Sequence, residues 1–290
     1  MNIAYWEGIA LDKSFRDTIK FFVITFIQTW TCYFAIIIFG LNPKGGLGIV
    51  FLVCGGMAPS LIGIIMMLAT YSRDQKKKFF QRVYQVKRIG VGWWFFILLI
   101  YPVVHIVSVL INSLIGAGMP TMEGLQDAIQ SPASILLVLF IGFFINGAFP
   151  EEFGWRGFAL QPLLDRFGFV KTNLLFGTIW AVWHLPLFFM PSMGHYHMGF
   201  VGFWFYLAQT IGLSTIMSLV FIRTRQSILS ALLLHMFANL ASNMMFSYSQ
   251  VYERINFSII FVVGVVINVY MSMPKSMSKS MSKKDFSLRI

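Results

Sequence analysis

Long apolar runs constrain this chain more than any other feature of its sequence. About eight of them reach the roughly 20 residues that an α-helix needs to cross the hydrocarbon core of a bilayer. They lie at about 20–41, 46–71, 90–116, 133–163, 171–190, 199–222, 226–247 and 256–273. We therefore predict an all-α, polytopic membrane protein with about eight transmembrane helices, located in the cell membrane as a multi-pass protein.

The composition agrees with a chain whose main solvent is lipid. Of its 290 residues, 57% are hydrophobic and 11% are charged, whereas a soluble domain usually carries about 25% charged residues. The formal net charge of +11 would suggest nucleic-acid binding in a soluble protein. In a membrane protein, basic residues mark cytoplasmic loops and contact anionic lipid head groups. We therefore expect the lipid bilayer, and not nucleic acid, as a partner.

The charges of the loops predict the orientation of the chain. Residues 72–88 contain seven Lys and Arg residues, and such a segment is retained in the cytoplasm. Counting outward, every second junction is basic again, at "DRFGFVK", at "RTR" and in the tail. About eight spans with both termini in the cytoplasm fit this alternation. We expect a single transmembrane domain at 1–273 and a disordered, basic cytoplasmic tail at 274–290.

Ionisable side chains inside a span cost about 2.5–3.5 kcal/mol each on insertion scales, so the few that are present are candidates for function. They are Glu151, Glu152, Arg156, His184, His235 and His105. Because Glu152 and Arg156 are four residues apart, they share a helix face and can pair. Glu151 lies about 140° around the helix from Arg156, which predicts that Glu151 is the working carboxylate. His105 has no matching partner in another span, and we interpret it as structural.

Two further spans carry a histidine next to a side chain that suits a polar site. Trp180 lies one turn before His184 on the same helix face, and Asn239 lies one turn after His235. A side-chain amide beside an imidazole can donate a hydrogen bond to a developing oxyanion. Counted from the basic junctions, Glu151 and both histidines lie about 15–20 Å deep. The three spans are therefore expected to share one site, reached from the cytoplasm.

The chemistry of these side chains leaves two routes to hydrolysis open. A carboxylate with two imidazoles can activate water as a general base, or it can hold a divalent metal such as zinc whose bound water attacks. The metal ligands would be Glu151, His184 and His235. The chain has no H-E-x-x-H motif, and no serine or cysteine has a neighbouring base in the pattern, which favours activated water. His195 and His197 are expected to be surface residues on the opposite side of the membrane.

Three short motifs, in this order, carry a resemblance to a known family. They are "EEFGWR" at 151–156, "WAVWH" at 180–184 and "HMFAN" at 235–239. The chain resembles the CPBP family, whose signature is E-E-x-x-x-R, then F-x-x-x-H, then H-x-x-x-N on successive transmembrane helices. That family comprises the type II CAAX prenyl endopeptidases and relatives described as bacteriocin-processing or self-immunity proteins. The resemblance covers about 135–247, the expected catalytic core, and Trp180 stands where phenylalanine is usual.

The resemblance implies an intramembrane endopeptidase that acts on a peptide or a membrane-protein substrate. It implies that Glu151 and His184 activate the water. It implies that His235 and Asn239 stabilise the oxyanion. Glu152, Arg156 and Trp180 would support the site. Both a metal-dependent and a metal-free glutamate mechanism are argued for the family, so the metal stays open. The alternatives are a non-catalytic bacteriocin immunity or membrane interaction protein on the same fold, and an ion-coupled transporter. We favour the transporter less because the chain shows no clear internal repeat.

Overall fold

The computed structural model describes residues 3–117, 136, 139–140, 142–145, 147–244 and 249–273. The side chains of 3–12 and 241–244 lie outside that description, as do the predicted tail at 274–290 and much of the start of the predicted catalytic core. All regular secondary structure in the described ranges is helical. Its ten α-helices are α1 (Ile3–Ile38), α2 (Gly46–Gly56), α3 (Ala58–Thr70), α4 (Arg73–Tyr84), α5 (Val91–Leu114), α6 (Ala148–Gly154), α7 (Leu160–Trp183), α8 (Gly194–Arg223), α9 (Ile228–Met244) and α10 (Gln250–Ser272).

Several of these helices are long and apolar enough to cross a membrane. In the part of the chain that the structure describes, five helical stretches qualify, and a sixth qualifies if α2 and α3, which meet at a bend of 47°, form one broken span or a re-entrant loop. The five stretches are Lys13–Ile38, Val91–Leu114, Gly142–Phe189, Gly194–Arg223 and Gln250–Ser272. The prediction of an all-α, polytopic membrane protein is confirmed. The number eight, the cytoplasmic termini and the single-domain boundary stay predictions.

The stretch Gly142–Phe189 overlaps two of the predicted spans, 133–163 and 171–190. Its 48 residues are more than twice what one span needs. The backbone leaves the helical conformation at Gly168, with φ 71° and ψ 179°, which is a conformation that suits glycine. This break separates the part of α7 that follows α6 from the part that carries the second predicted span.

The strongly basic segment after α3 forms a helix of its own, α4. Ser72 caps its N-terminus, and the Ser72 and Gln75 side chains each bond to the backbone N–H of the other residue. Such a capping box satisfies donors that the first helical turn leaves open. On the inner face, Phe79 is fully buried and Arg82 donates a hydrogen bond of 2.9 Å to the carbonyl of Gly157. The basic segment is thus attached to the backbone just after α6.

Small residues allow α6 to pack directly on the backbone of α3. A Cβ added to Gly63 would lie 2.5 Å from the Cα of Gly154, so the two helices touch without intervening side chains. Small residues at such contacts are typical of helix packing in membranes, where lipid offers no hydrophobic drive for association. Beside this contact, the Ser60 hydroxyl donates to the Phe149 carbonyl at 2.7 Å and accepts from the Phe153 N–H at 3.2 Å. The position of α6 is therefore fixed by backbone contacts.

His105 makes a buried contact between two helices, and its structural role stays a prediction. Its ring is buried, with 2% of its surface exposed, and its Nδ1 lies 2.6 Å from the Tyr252 hydroxyl. This hydrogen bond joins α5 to α10. The contact links two spans.

Candidate active site

The site begins at a glycine that starts α6. Gly147 has φ 98°, a conformation that a residue with a side chain rarely adopts. Pro150 follows in the first turn of α6, where a missing backbone N–H costs no helical hydrogen bond. Directly after α6, Trp155–Ala159 form one π-helical turn, a distortion that is frequent at functional sites. The two glutamates therefore lie on a short helix between a glycine turn and a π-helical turn.

Glu152 forms the structural ion pair that its spacing predicted. Its Oε1 accepts a 2.7 Å hydrogen bond from Arg156, and both side chains are completely buried. The Arg156 guanidinium also lies over the Trp180 ring, 4.6 Å from its centroid, a favourable cation–π distance. A buried charge needs such partners, because desolvation of an unpaired ion costs several kcal/mol.

The same Glu152 oxygen has a second partner, which the sequence did not predict. His235 Nδ1 lies 2.7 Å from Glu152 Oε1. Because a carboxylate oxygen paired with Arg156 only accepts hydrogen bonds, the proton of His235 must be on Nδ1. Its Nε2 then carries a lone pair in the neutral ring and a donor N–H in the imidazolium. Glu152 thus orients the imidazole of His235.

Glu151 is held differently from its neighbour. Its Oε2 accepts one hydrogen bond of 3.0 Å from Trp155 Nε1 and one of 2.8 Å from Trp180 Nε1. The side chain is buried, with 5% of its surface exposed. One oxygen of this carboxylate is therefore engaged by two indoles, and the other oxygen points elsewhere.

Three predicted site residues meet around the backbone of Gly147. A Cβ built there would lie 2.8 Å from Asn239 Nδ2, 2.8 Å from His235 Nε2 and 3.0 Å from Glu151 Oε1. No two of these three atoms can therefore be more than about 6 Å apart. We call Gly147, Glu151, His235 and Asn239 the Gly147 cluster. It brings a carboxylate oxygen, an imidazole nitrogen and an amide donor from α6 and α9 together.

His184 lies next to this cluster, and its atoms are not among the three nearest to the Gly147 Cβ position. It follows the last residue of α7, and a 3₁₀ turn at Leu185–Phe189 begins directly after it. Its Nδ1 lies 2.9 Å from the Trp180 carbonyl oxygen, which can only accept, so Nδ1 carries the proton and Nε2 the lone pair. The Trp180 ring connects the two parts of the site, with its centroid 5.3 Å from the His235 ring and 6.2 Å from the His184 ring.

The structure corrects the expectation that His195 is a surface residue remote from the site. Its ring stacks on His184, with centroids 5.8 Å apart and planes 17° from parallel. Tyr206 contacts both rings edge-on, at 5.6 Å from His184 and 5.2 Å from His195. The error arose because the connection after α7 is short, so the first turn of α8 returns over His184. His197, two residues further, is exposed as predicted.

A metal held by Glu151, His184 and His235 stays a prediction. Among the described residues, no group of three or more His, Cys, Asp and Glu side chains is placed to hold a metal ion. Glu151 Oε1 and His235 Nε2 approach each other at Gly147, and the Trp180 ring contacts both the His235 ring and the His184 ring. We therefore assign no chemical step to a metal.

The fold and the site define a class of protein: a helical membrane protein with a buried carboxylate–imidazole centre of the kind that hydrolytic enzymes use. Residues 132–241, which contain the Gly147 cluster and His184, match the family model described as type II CAAX prenyl endopeptidase Rce1-like. The CAAX prenyl protease 2 of Methanococcus maripaludis is 26% identical to this chain over 230 residues, which is 78% of this chain and 83% of that protein. These matches confirm the resemblance that the three motifs predicted, and they identify the chain as a membrane protease.

Proposed function

We propose that the protein is an intramembrane endopeptidase that hydrolyses a peptide bond with a water molecule activated by Glu151 and His184. The observation that carries this proposal is the Gly147 cluster, in which a carboxylate oxygen, an imidazole nitrogen and an amide donor meet. A general base and an oxyanion stabiliser are the two parts that peptide hydrolysis by water needs.

In the proposed reaction, Glu151 Oε1 accepts a proton from the water while the water oxygen attacks the carbonyl carbon of the substrate. His184 orients the same water through the lone pair on its Nε2. The tetrahedral oxyanion accepts hydrogen bonds from Asn239 Nδ2 and, when Nε2 of His235 carries a proton, from that Nε2–H. The C–N bond then breaks, and Glu151 returns its proton to the leaving amine. The carboxylate is regenerated without a covalent enzyme intermediate.

The type of substrate is proposed from the relative and from the location of the site. The relative is described as a CAAX prenyl protease, and the site of this chain lies among membrane helices. We propose that the substrate is a membrane-attached peptide whose cleavage site reaches the buried centre. A metal bound by Glu151, His184 and His235 stays a separate, untested proposal, which metal analysis of the purified protein checks.

The first prediction concerns Glu151→Gln. Because an amide cannot accept the proton, we expect cleavage to fall by about 10²- to 10⁴-fold. The assay uses purified protein in lipid nanodiscs with an internally quenched peptide that ends in a farnesylated CAAX sequence. Glu253→Gln is the matched control, since it makes the same change on α10, away from the site, and should retain activity.

Full activity in Glu151→Gln would refute the proposed mechanism. If the reporter peptide is not cleaved by the wild type, the termini of membrane proteins are compared by proteomics in cells with wild type and with Glu151→Gln. A protease produces termini that the variant lacks. A non-catalytic immunity protein would retain its phenotype in the variant and produce no such termini.

A further inference from the structure

The connection from α4 to α5 meets the connection from α8 to α9 through a reciprocal pair of arginine contacts. The Arg88 guanidinium donates a 2.6 Å hydrogen bond to the Arg225 carbonyl oxygen. In return, the Arg225 guanidinium donates to the Lys87 carbonyl oxygen. The Gln85 side-chain oxygen accepts a further bond of 2.9 Å from Arg88 Nε. Two arginines from distant parts of the chain are thus held in place by neutral oxygen acceptors.

An open pocket lies between these two connections. Its volume is about 620 Å³. The residues that line it are Tyr84, Gln85, Val86, Lys87, Arg88 and Arg225. Three of these six residues are cations, and none of the six is acidic. The pocket therefore concentrates positive charge around a space that can admit a small anionic group.

No carboxylate pairs with either arginine among the residues that the structure describes. The hydrogen bonds of the two guanidinium groups go to neutral oxygens. Like charges that line the same pocket repel each other, and the Lys87 side chain adds a third positive charge. A guanidinium also has more N–H donors than these bonds use. A bound anion with several acceptor oxygens would satisfy both the charge and the remaining donors.

The backbone of the second connection is strained at this pocket. Arg225 has φ 55° and Gln226 has φ 59°, a left-handed conformation that residues with a side chain rarely adopt. Surrounding contacts hold it, since the Gln226 side chain donates to Gln161 Oε1 of α7 at 2.8 Å and its backbone N–H donates to the Phe221 carbonyl at 2.8 Å. Residues held in such conformations cluster at functional sites and ligand clamps. Here they place Arg225 in the lining of the pocket.

The pocket lies where two membrane-spanning stretches end. Arg88 comes three residues before the start of the span in α5, and Arg225 comes two residues after the end of the span in α8. The ends of spans meet the head-group region of a bilayer, where lipid phosphates are found. Two other lining side chains, Tyr84 and Val86, are 63% and 53% exposed. They offer apolar surface beside the cations, which suits a ligand with a phosphate and an apolar part.

We propose that Lys87, Arg88 and Arg225 form a binding site for a phosphate group, which we call the phosphate site. The planar forks of two arginines suit the oxygens of a phosphate, and a lysine adds a point charge. The position at the ends of two spans and the exposed Tyr84 and Val86 favour the phosphate of an anionic phospholipid. The phosphate site shares no residue with the candidate active site, and the proposal does not depend on the proposed function.

The test measures lipid binding to the full-length protein in detergent micelles by native mass spectrometry. The probes are dioleoylphosphatidylglycerol, which is anionic, and dioleoylphosphatidylcholine, whose choline charge is repelled by the cations of the site. We expect the wild type to bind the anionic lipid at least about fivefold more tightly. Arg225→Gln should weaken that binding at least about tenfold and Lys87→Gln about fivefold, because each removes a charged donor.

Arg223→Gln is the matched control. Arg223 is exposed and ends α8, so this substitution removes the same charge two residues from Arg225 without touching the lining of the pocket. Its binding of the anionic lipid should change less than about twofold. Lys87→Gln guards against an effect on folding, because the backbone carbonyl of Lys87, and not its side chain, accepts the bond from Arg225.

Equal weakening of anionic-lipid binding by Arg223→Gln and Arg225→Gln would overturn the phosphate site, because a diffuse basic surface would then explain the binding. Inorganic phosphate, which carries the charge without an apolar part, separates the two sources of a phosphate group. Lipid binding that inorganic phosphate does not displace assigns the site to the phospholipid. Displacement of the lipid, or calorimetric binding of inorganic phosphate that Arg225→Gln abolishes, assigns the site to a soluble phosphate. A wild type with neither lipid selectivity nor phosphate binding would overturn the proposal and leave the arginines as structural links between the two connections.

Discussion

Glu151 and Glu152 are adjacent in the chain, yet their carboxylates have different partners. Successive residues of a helix point about 100° apart, so Glu152 faces Arg156 and His235, whereas Glu151 faces the indoles and Gly147. At the scale of single residues, the site consists of one carboxylate that neutralises a buried cation and one that is free to act on water. The role of each carboxylate can be tested by a substitution with glutamine, which removes its charge.

The pairing of Glu152 and Arg156 predicts a large loss of stability when only one charge is removed. Glu152→Gln leaves a buried guanidinium without a counter-charge, which should cost about 3–5 kcal/mol of unfolding free energy. SDS titration in mixed micelles measures it. The double variant Glu152→Gln/Arg156→Met should recover most of this loss, because no unpaired charge remains. A double variant as unstable as the single one would contradict the explanation.

Gly147→Ala should abolish most cleavage by forcing the Gly147 cluster apart. The new Cβ would meet Asn239 and His235 at 2.8 Å, and a displacement of about 1 Å in a catalytic group can cost 10²-fold in rate. Gly168→Ala is the matched control, because Gly168 also has a positive φ but nothing lies within 4 Å of its Cβ position. If both variants lose activity equally, backbone strain and not the cluster explains the loss.

At the scale of elements, the end of α7 and the start of α8 form one wall of the site. His184 follows α7, the 3₁₀ turn reverses the chain, and His195 in the first turn of α8 returns over the His184 ring. The hydrogen bond from His184 Nδ1 to the Trp180 carbonyl fixes one edge of the His184 ring. The stacked His195 ring covers one face of it. The elements thus orient a residue that no single helix can hold.

This wall predicts a role for His195. His195→Ala should lower kcat about tenfold with little change in KM, because the His184 ring loses its stacked neighbour and samples other orientations. His195→Phe, which restores a ring, should recover most of that loss. Steady-state kinetics on the reporter peptide measure both, with the exposed His197→Ala as the unaffected control. Wild-type kcat in His195→Ala would show that the stack does not position His184.

At the scale of the whole molecule, the bounds of a continuous transmembrane helix are easier to predict from sequence than those of a broken one. The uninterrupted helices α5 and α10 lie close to their predicted spans, since apolar length alone defines a helix in lipid. Helix α1 ends near the predicted end at 41, but it begins well before the predicted start at 20. The run at 46–71 instead forms α2 and α3, which meet at 47°. Apolar composition does not encode such a bend. The same limit applies to the 48-residue stretch that breaks at Gly168.

The predicted orientation is tested with single cysteines in a Cys32→Ala/Cys54→Ala background. We expect a membrane-impermeant maleimide to label Lys77→Cys, on exposed α4, only from the cytoplasmic side, because basic segments are retained there. His197 is also exposed, and we expect the His197→Cys variant to be labelled only from the side of the membrane opposite the cytoplasm. Sealed right-side-out and inside-out vesicles supply the two measurements. Labelling of both positions from one side would show that the span count or the orientation is wrong.

The sequence by itself determined the features that depend on local geometry. Apolar length specified a helical membrane protein, and a spacing of four residues specified the Glu152–Arg156 pair and the shared face of His235 and Asn239, because the helical repeat is nearly constant. The tertiary structure alone decided the bond from Glu152 to His235, the indole bond from Trp180 to Glu151 and the stack of His195 on His184. These contacts join different helices, and their geometry depends on how the helices pack, which no local repeat encodes.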